Sequence, residues 1–425
     1  MPSLPLRLPG RVFLVNLVAL YGIQFASLLL PLVTLPYLTR VLKPEAWGQL
    51  GAIQSLGNVF VLFIEYGFLL SATRAVAQQR AHPERLARIV SGVLGAKLLL
   101  LVALLGIAGL VFVSVGVVRA TPGLYWAGVA FAVAQGFSPL WYYQGIERLR
   151  GAAVIDVVAR ALGVLSIFAF VREPAHAPRV LALQAAFYAL SVLFNTARLY
   201  RDVPFRKPAW ADAVASLKDG WTLFLVRGAV TLYTTANAFV LRLFVPAASV
   251  ANYVNADRLT GAGKGLLVPV SQLLFPRISN MIVQDYERAR ALMGRSLALM
   301  LGMALLGVLG AVVLAPWAVR LLFGPGYEHS VPLLRVLILT LPMLAVSNVL
   351  GVQWMLPLGL DRPFNAIIIL AGGLSIVLAL SLVGRYGAMG MAVSALLSES
   401  FVTLAMLAYL WKHKDLPFHS MSRSA

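Results

Sequence analysis

Long apolar runs separated by short polar segments make up most of this chain. Each run is about as long as the roughly 20 residues that a helix needs to cross a bilayer. The pattern predicts an all-α, polytopic membrane protein with about twelve transmembrane helices. We expect these spans near residues 12–38, 47–70, 89–113, 124–143, 153–171, 178–199, 221–243, 249–275, 295–319, 331–357, 363–383 and 388–410.

The composition supports a lipid environment and excludes several kinds of chemistry. Of the 425 residues, 60% are apolar and 12% are charged, whereas about a quarter of the residues in a soluble domain are charged. Cysteine is absent, which excludes disulfides and thiol nucleophiles. The five histidines lie in loops or the tail without ligand spacing, so we expect no metal site and no cofactor.

The positive charge predicts the orientation of the chain. The formal net charge is +19, and cytoplasmic loops carry the excess of Lys and Arg in membrane proteins. With twelve spans both termini lie on one side, and that side receives most of the flanking cations. We therefore expect cytoplasmic termini and no nucleic-acid partner. The first run lacks a small-residue cleavage site, so it is predicted to be a transmembrane helix and not a signal peptide.

Residues 201–220 form the longest polar stretch between predicted spans. Aromatic and aliphatic residues recur among its basic residues at nearly helical spacing. This pattern favours an amphipathic helix on the cytoplasmic leaflet, although a solvated connector is also consistent with it. The connector would join an N-terminal six-helix lobe (1–200) to a C-terminal one (221–411), followed by a cytoplasmic tail (412–425).

Short internal similarities support two equivalent halves. The segment from Arg40 to Pro44 resembles the segment from Arg242 to Pro246, and Gly145–Arg148 resembles Gly359–Arg362. Both matches place equivalent hairpins on the same side of the membrane, as a parallel repeat requires. Repeated halves predict a substrate cavity where they meet and favour transport of a solute over chemistry on it.

Ionisable residues inside the predicted spans are the best candidates for function. Burying a charge in a bilayer costs a few kcal/mol, so such residues usually face a wet cavity or a partner. The embedded charges are Glu65, Lys97, Asp156, Arg160, Arg227, Asp257, Arg258, Lys264 and Glu399. Asp156 and Arg160 are one helical turn apart, which favours an ion pair within the helix.

The eighth predicted span, 249–275, is the most polar, and two adjoining polar stripes on it favour a water-filled cavity over lipid. The seventh predicted span, 221–243, also carries polar residues and is expected to line the same cavity. The predicted substrate-binding residues are Arg227, Asn237, Asn252, Asn255, Arg258 and Lys264. The predicted coupling or cavity carboxylates are Glu65, Asp156 and Asp257. The alternative is that these polar groups only hold the helices together by hydrogen bonds.

The small excess of embedded cations favours an anionic substrate. An ion-coupled small-molecule exporter is the main alternative, and it would depend on Glu65, Asp156 or Asp257. A membrane enzyme would need a sizeable extracytoplasmic loop with catalytic groups. The predicted outer loops are short, so the sequence predicts a transporter and not an enzyme.

A set of short motifs extends over nearly the whole chain. The motifs are Leu30–Arg40, Glu65–Phe68, Ala72–Arg74, Pro139–Glu147, Asn252–Tyr253, Asp257–Arg258, Pro276–Ser279 and Gly324–Tyr327. They are specific in combination, and they resemble those of Wzx-type bacterial polysaccharide flippases, in the multidrug/oligosaccharidyl-lipid/polysaccharide exporter superfamily.

The resemblance implies two six-helix lobes around a central cavity in the bacterial inner membrane. It implies movement of undecaprenyl-pyrophosphate-linked oligosaccharides to the periplasmic leaflet for surface polysaccharide synthesis. Cationic cavity residues of the family are thought to meet the anionic parts of the substrate, and Arg227, Arg258 and Lys264 are the candidates here. Other expected partners are membrane lipids and other polysaccharide assembly proteins.

Overall fold

We describe the protein from a computed structural model in which residues 11–413 are placed, with side chains described from residue 33 onward except at 232. The described chain contains helices and no strands. The helices are α1 (Arg11–Glu65), α2 (Phe68–Gln79), α3 (Pro83–Ser114), α4 (Gly116–Arg119), α5 (Pro122–Gly136), α6 (Leu140–Gly145), α7 (Leu149–Phe170), α8 (Ala177–Asp202), α9 (Trp210–Thr234), α10 (Asn237–Arg242), α11 (Ala247–Gln284), α12 (Tyr286–Phe323), α13 (Ser330–Leu337), α14 (Thr340–Ser347) and α15 (Asp361–Lys412). A short 3₁₀ helix (Pro174–His176) precedes α8, and a π-helix (Asn348–Met355) follows α14.

This architecture confirms the predicted all-α membrane fold. Among the described residues, eight helical stretches are long and apolar enough to cross a bilayer. The helices α1 and α15 have 55 and 52 residues, enough for two spans each. Each contains one non-helical residue where the chain turns, Lys43 with φ 59° and Gly387 with φ 57°. The paired spans predicted on either side of these residues are therefore distinct helices.

Several spans that the sequence predicts as continuous are interrupted. The second span breaks at Tyr66 and Gly67, which have φ of 50° and 96°. The fourth breaks between α5 and α6, where Pro139 cannot donate a backbone hydrogen bond. The seventh breaks between α9 and α10, and the tenth consists of α13, α14 and the π-helix. Helix breaks at membrane depth expose backbone groups that other residues must satisfy.

The connector differs from the amphipathic helix predicted for residues 201–220. The chain has no regular structure from 203 to 209, where Pro204 and Pro208 disfavour a helix, and α9 then runs directly into the seventh span. Asp212 anchors the start of α9, because its carboxylate lies 2.8 Å from Arg88 Nε and 3.6 Å from Arg206 Nη2.

The described chain packs as two compact units. The first unit comprises Thr34–Val254 and Gly372–Met391. The second unit comprises Asn255–Ala371 together with the described parts of Met1–Val33 and Ala392–Ala425. The predicted lobes, 1–200 and 221–411, are inferred from an internal sequence repeat, whereas these units are defined by packing. The lobes therefore stay a prediction. The predicted tail, 412–425, lies almost wholly outside the described residues.

Small residues allow close backbone contact within the first unit. A Cβ atom on Gly48 would lie 1.8 Å from the Ala247 carbonyl oxygen. The backbones of α1 and α11 are therefore in direct contact, as is common where membrane helices pack through glycine. This contact fixes the start of α11, which carries the most polar span.

Candidate functional site

A cluster of charges lies at the break in the second span. Glu65 is the last residue of α1, and its Oε2 lies 3.2 Å from Nη2 of Arg227 on α9. Their side chains are 26% and 35% exposed, so the pair is only partly buried. Arg227 Nη1 is buried and has no hydrogen-bond acceptor among the described residues. The pairing with Glu65 thus leaves one donor group of the guanidinium unused among the described residues.

Lys97 of α3 extends this cluster and stabilises a second helix break. Its ammonium donates to the carbonyl oxygens of Gly136 at 2.7 Å and Ser138 at 3.2 Å. These carbonyls lie at the end of α5, where the helix dipole favours a cation. The ammonium also attracts the Glu65 carboxylate. The Glu65, Lys97 and Arg227 side chains are hereafter called the α1–α3–α9 cluster.

The other unit holds a second set of charges, on α11 and α15. Lys264 Nζ lies 3.9 Å from Oε1 of Glu399, whose side chain is 6% exposed. The Asp257 carboxylate is attracted by both Lys264 and Arg258. Asp257, Arg258, Lys264 and Glu399 are hereafter called the α11–α15 cluster. Sequence reasoning recognised Glu399 as an embedded charge but did not assign it to the site.

The three predicted binding asparagines differ from the cations in exposure. Asn237 donates to the Tyr233 carbonyl and Asn252 to the Ala248 carbonyl, both at 3.0 Å. Asn237 and Asn252 are 7% and 6% exposed, and Asn255 is fully buried. Arg227, Arg258 and Lys264 retain partial exposure. The cations are therefore the predicted binding residues that a ligand can reach most readily in this structure.

Asp156 lies in a separate polar ladder between α7 and α8. Its Oδ2 lies 2.7 Å from Nε of Arg160, one helical turn away, as the ion-pair interpretation predicts. Ser191 of α8 donates to Oδ1 of Asp156 at 3.2 Å. Asn195 then donates to Ser191 at 3.4 Å. These bonds join two helices, which supports a structural role for Asp156.

A buried amide network in the second unit was missed by sequence reasoning. Ser296 donates to Gln353 at 2.6 Å, and Ser271 donates to Asn348 at 2.7 Å. Gln353 and Asn348 belong to the π-helix, a conformation that is frequent at functional sites. The apolar run around them gave no signal, because π-helical hydrogen bonding has no distinct sequence period. Among the described residues no group of three metal-ligating side chains occurs.

Comparison with known families identifies the chain. A family model described as "Polysaccharide biosynthesis protein" matches residues 13–282. The chain belongs to this family. A second model, "Lipid II flippase MurJ", matches residues 175–424. The resemblance to polysaccharide flippases that the motifs indicated is therefore confirmed.

Two similar proteins carry the same description. The "Putative O-antigen transporter" of Escherichia coli (strain K12) is 29% identical over 408 residues, covering 94% of this chain and 97% of that protein. The protein of the same name from Shigella dysenteriae is 30% identical over 409 residues, covering 92% and 98%. The chain thus matches both proteins over nearly their whole length.

Solved transporter structures share the fold. The lipid II flippase MurJ in an inward closed conformation superposes with a TM-score of 0.77 at 13% identity, covering 93% of this chain and 87% of that one. An inward-facing multidrug resistance MATE family transporter superposes at 0.63 with 15% identity, covering 92% and 98%. This likeness confirms the predicted all-α, multi-helix fold.

Proposed function

We propose that this protein translocates undecaprenyl-pyrophosphate-linked oligosaccharide units across the bacterial inner membrane, with both termini in the cytoplasm, by alternating access. The oligosaccharide head leaves the cytoplasmic leaflet and reaches the periplasmic leaflet, while the prenyl tail stays in lipid. The delivered units would supply surface polysaccharide synthesis. The similarity to proteins named O-antigen transporters supports this substrate class.

One observation carries the proposal. Each unit places a set of charges at membrane depth, the α1–α3–α9 cluster in one and the α11–α15 cluster in the other, and in each set a cation is partly exposed. Arginine and lysine bind phosphate strongly through charge-assisted hydrogen bonds. A pyrophosphate that leaves water needs such donors, since moving unpaired polar groups into hydrocarbon costs several kcal/mol each.

The carboxylates of the clusters favour release of the substrate, because they compete with its phosphates for the cations. In this structure Glu65 pairs with Arg227, and Glu399 with Lys264. An arriving phosphate competes with these carboxylates, and a departing phosphate is replaced by them. The cations are therefore compensated in both states, which lowers the cost of the unloaded return step.

An ion-coupled small-molecule exporter is the second candidate, because multidrug transporters share this fold. It would use Glu65 or Asp257 to carry the coupling ion. In this structure Glu65 is already paired with a cation, and Asp257 is attracted by two cations, which favours the anionic substrate. Drug resistance conferred by the chain would support the exporter.

Gene deletion tests the proposal. A strain without the protein is expected to lose surface polysaccharide and to accumulate the lipid-linked precursor in its cytoplasmic leaflet. Wild-type protein is expected to reverse both changes, whereas Arg227→Gln and Arg258→Gln are not. Arg288→Gln, which removes an exposed cation at the start of α12, is the matched control and is expected to complement. Full complementation by the first two variants at normal expression would refute the assignment.

A further inference from the structure

A cavity of about 400 Å³ lies inside the first unit, between α3, α5, α6 and α8. Ligand sites commonly enclose about 300–1,000 Å³, whereas close-packed protein interiors contain few voids larger than a water molecule. The walls of this cavity are almost entirely apolar. They include Val93, Val133, Phe137, Ala189, Leu193 and Tyr200.

The mouth of the cavity opens toward lipid. Leu193 of α8 lines the cavity and is 63% exposed. Its neighbours Leu190 and Phe194 are also exposed and apolar, and such a surface on a membrane protein faces hydrocarbon. Apolar cavities stay dry and take up hydrocarbons. The occupant therefore comes from the bilayer and is a hydrocarbon chain.

The cavity is elongated along the helix axes. Its α8 wall extends from Ala189 to Tyr200, about 16 Å at the rise of an α-helix. On α3 it extends from Val90 to Lys97. This shape suits one extended chain that runs roughly parallel to the spans.

A charged group lies at the inner end of the cavity. Lys97 is one of the lining residues, and its ammonium attracts Glu65, the partner of Arg227. Along α3, Lys97 lies about 13 Å beyond Arg88, an exposed cation at the predicted cytoplasmic end. A resting phospholipid keeps its phosphate at the interface. Under the proposed function, the substrate lipid would bring its phosphate to the depth of Lys97 and Arg227 as it crosses.

We propose that the cavity holds the head-proximal isoprenoid units of the lipid-linked substrate while its pyrophosphate meets Arg227. The cavity keeps the start of the tail beside the α1–α3–α9 cluster, so that the head enters the protein at the right depth. This inference rests on the proposed function and adds a site for the tail to it.

Photocrosslinking tests the inference directly. Purified protein in nanodiscs is exposed to undecaprenyl phosphate that carries a diazirine near its phosphate, and labelled peptides are identified by mass spectrometry. A phosphatidylglycerol with a diazirine in its acyl chain is the comparison probe. The prenyl probe is expected to label residues of the cavity wall on α5 and α8, and excess unlabelled undecaprenyl phosphate is expected to suppress this labelling.

Variants that fill the cavity sharpen the test. Ala189→Trp and, as a smaller change, Val133→Phe are expected to lower cavity labelling by about tenfold, because displacing even two methylene groups removes that much affinity. Leu105→Trp places the same indole ring on an exposed position of α3 outside the cavity and is expected to leave labelling unchanged. Thermal unfolding establishes that each variant is folded.

The outcomes separate this inference from the proposed function. Absent cavity labelling, unchanged labelling in both folded filled variants, or preferential labelling by phosphatidylglycerol would overturn the tail site. If Arg227→Gln still abolishes surface polysaccharide, the proposed function stands without the tail site. Labelling of the cavity in a protein whose deletion causes no precursor to accumulate would support the tail site and refute the proposed function.

Discussion

The ion pair between Glu65 and Arg227 allows a quantitative test of the α1–α3–α9 cluster. At the observed 3.2 Å, two unit charges attract by about 5 kcal/mol at an effective dielectric constant of about 20. Each side chain is a quarter to a third exposed, which places the pair between exposed pairs worth under about 1 kcal/mol and buried pairs whose disruption costs about 3–5 kcal/mol. We expect a coupling free energy of about 2 kcal/mol, roughly a 30-fold change in the unfolding equilibrium.

A double-mutant cycle measures this coupling. Glu65→Gln, Arg227→Gln and the double variant are unfolded reversibly with SDS in mixed micelles, and the free energies of unfolding are compared with the wild type. The double variant is expected to be about 2 kcal/mol more stable than the two single changes predict together. The exposed pair Asp285 and Arg288, 3.0 Å apart, is the matched control and is expected to give under about 0.5 kcal/mol. Equal coupling in the two cycles would refute the view that Glu65 compensates Arg227.

Three further predictions follow from single contacts. Lys97→Met removes two hydrogen bonds to carbonyls at a helix break and is expected to lower the free energy of unfolding by about 1–3 kcal/mol in SDS titrations; an unchanged value would contradict the capping role. Gly48→Ala places a Cβ 1.8 Å from a backbone oxygen and is expected to destabilise the folded protein by about 3 kcal/mol or more. Gel filtration should show this as a loss of monodisperse protein. The control variant Gly109→Ala, where an added Cβ has nothing within 4 Å, should behave as wild type. Hydrogen bonds from the backbone N–H groups of Glu328 and Gly326 lower the pKa of Glu328. Protection of the Gly326 amide from hydrogen exchange should therefore persist at pH values where an ordinary glutamate is already half protonated, and should be lost as the pH falls through the lowered pKa. Loss of protection already at the ordinary glutamate pKa would contradict this.

The positions of the spans could be predicted because the bilayer fixes the length of an apolar run. Their interruptions could not, because a helix break is stable only if distant residues satisfy the freed backbone groups. The break before Pro139 depends on Lys97, which lies in the preceding span. The run Phe137-Ser138-Pro139 gave a weak local signal, but nothing nearby in the sequence indicates where the stabilising ammonium comes from.

The site shows the same division between local and distant information. The ion pair of Asp156 and Arg160 was predicted because one helical turn separates the residues. Arg227 and Glu65, and likewise Lys264 and Glu399, are far apart in sequence and meet only through packing. Scarcity of charge in the spans identified all these residues as candidates, but only the structure shows which cation each carboxylate contacts.

Transport by purified protein tests the central claim most directly, namely that cations at membrane depth recognise an anionic lipid head. The rate of translocation in proteoliposomes is measured for a fluorescent oligosaccharide linked to undecaprenyl pyrophosphate and for the same oligosaccharide on a neutral prenyl ether. The pyrophosphate-linked compound should cross rapidly with wild-type protein and slowly with Arg258→Gln, while the neutral compound should cross slowly with both. Equal rates for the two compounds with the wild-type protein would contradict the account.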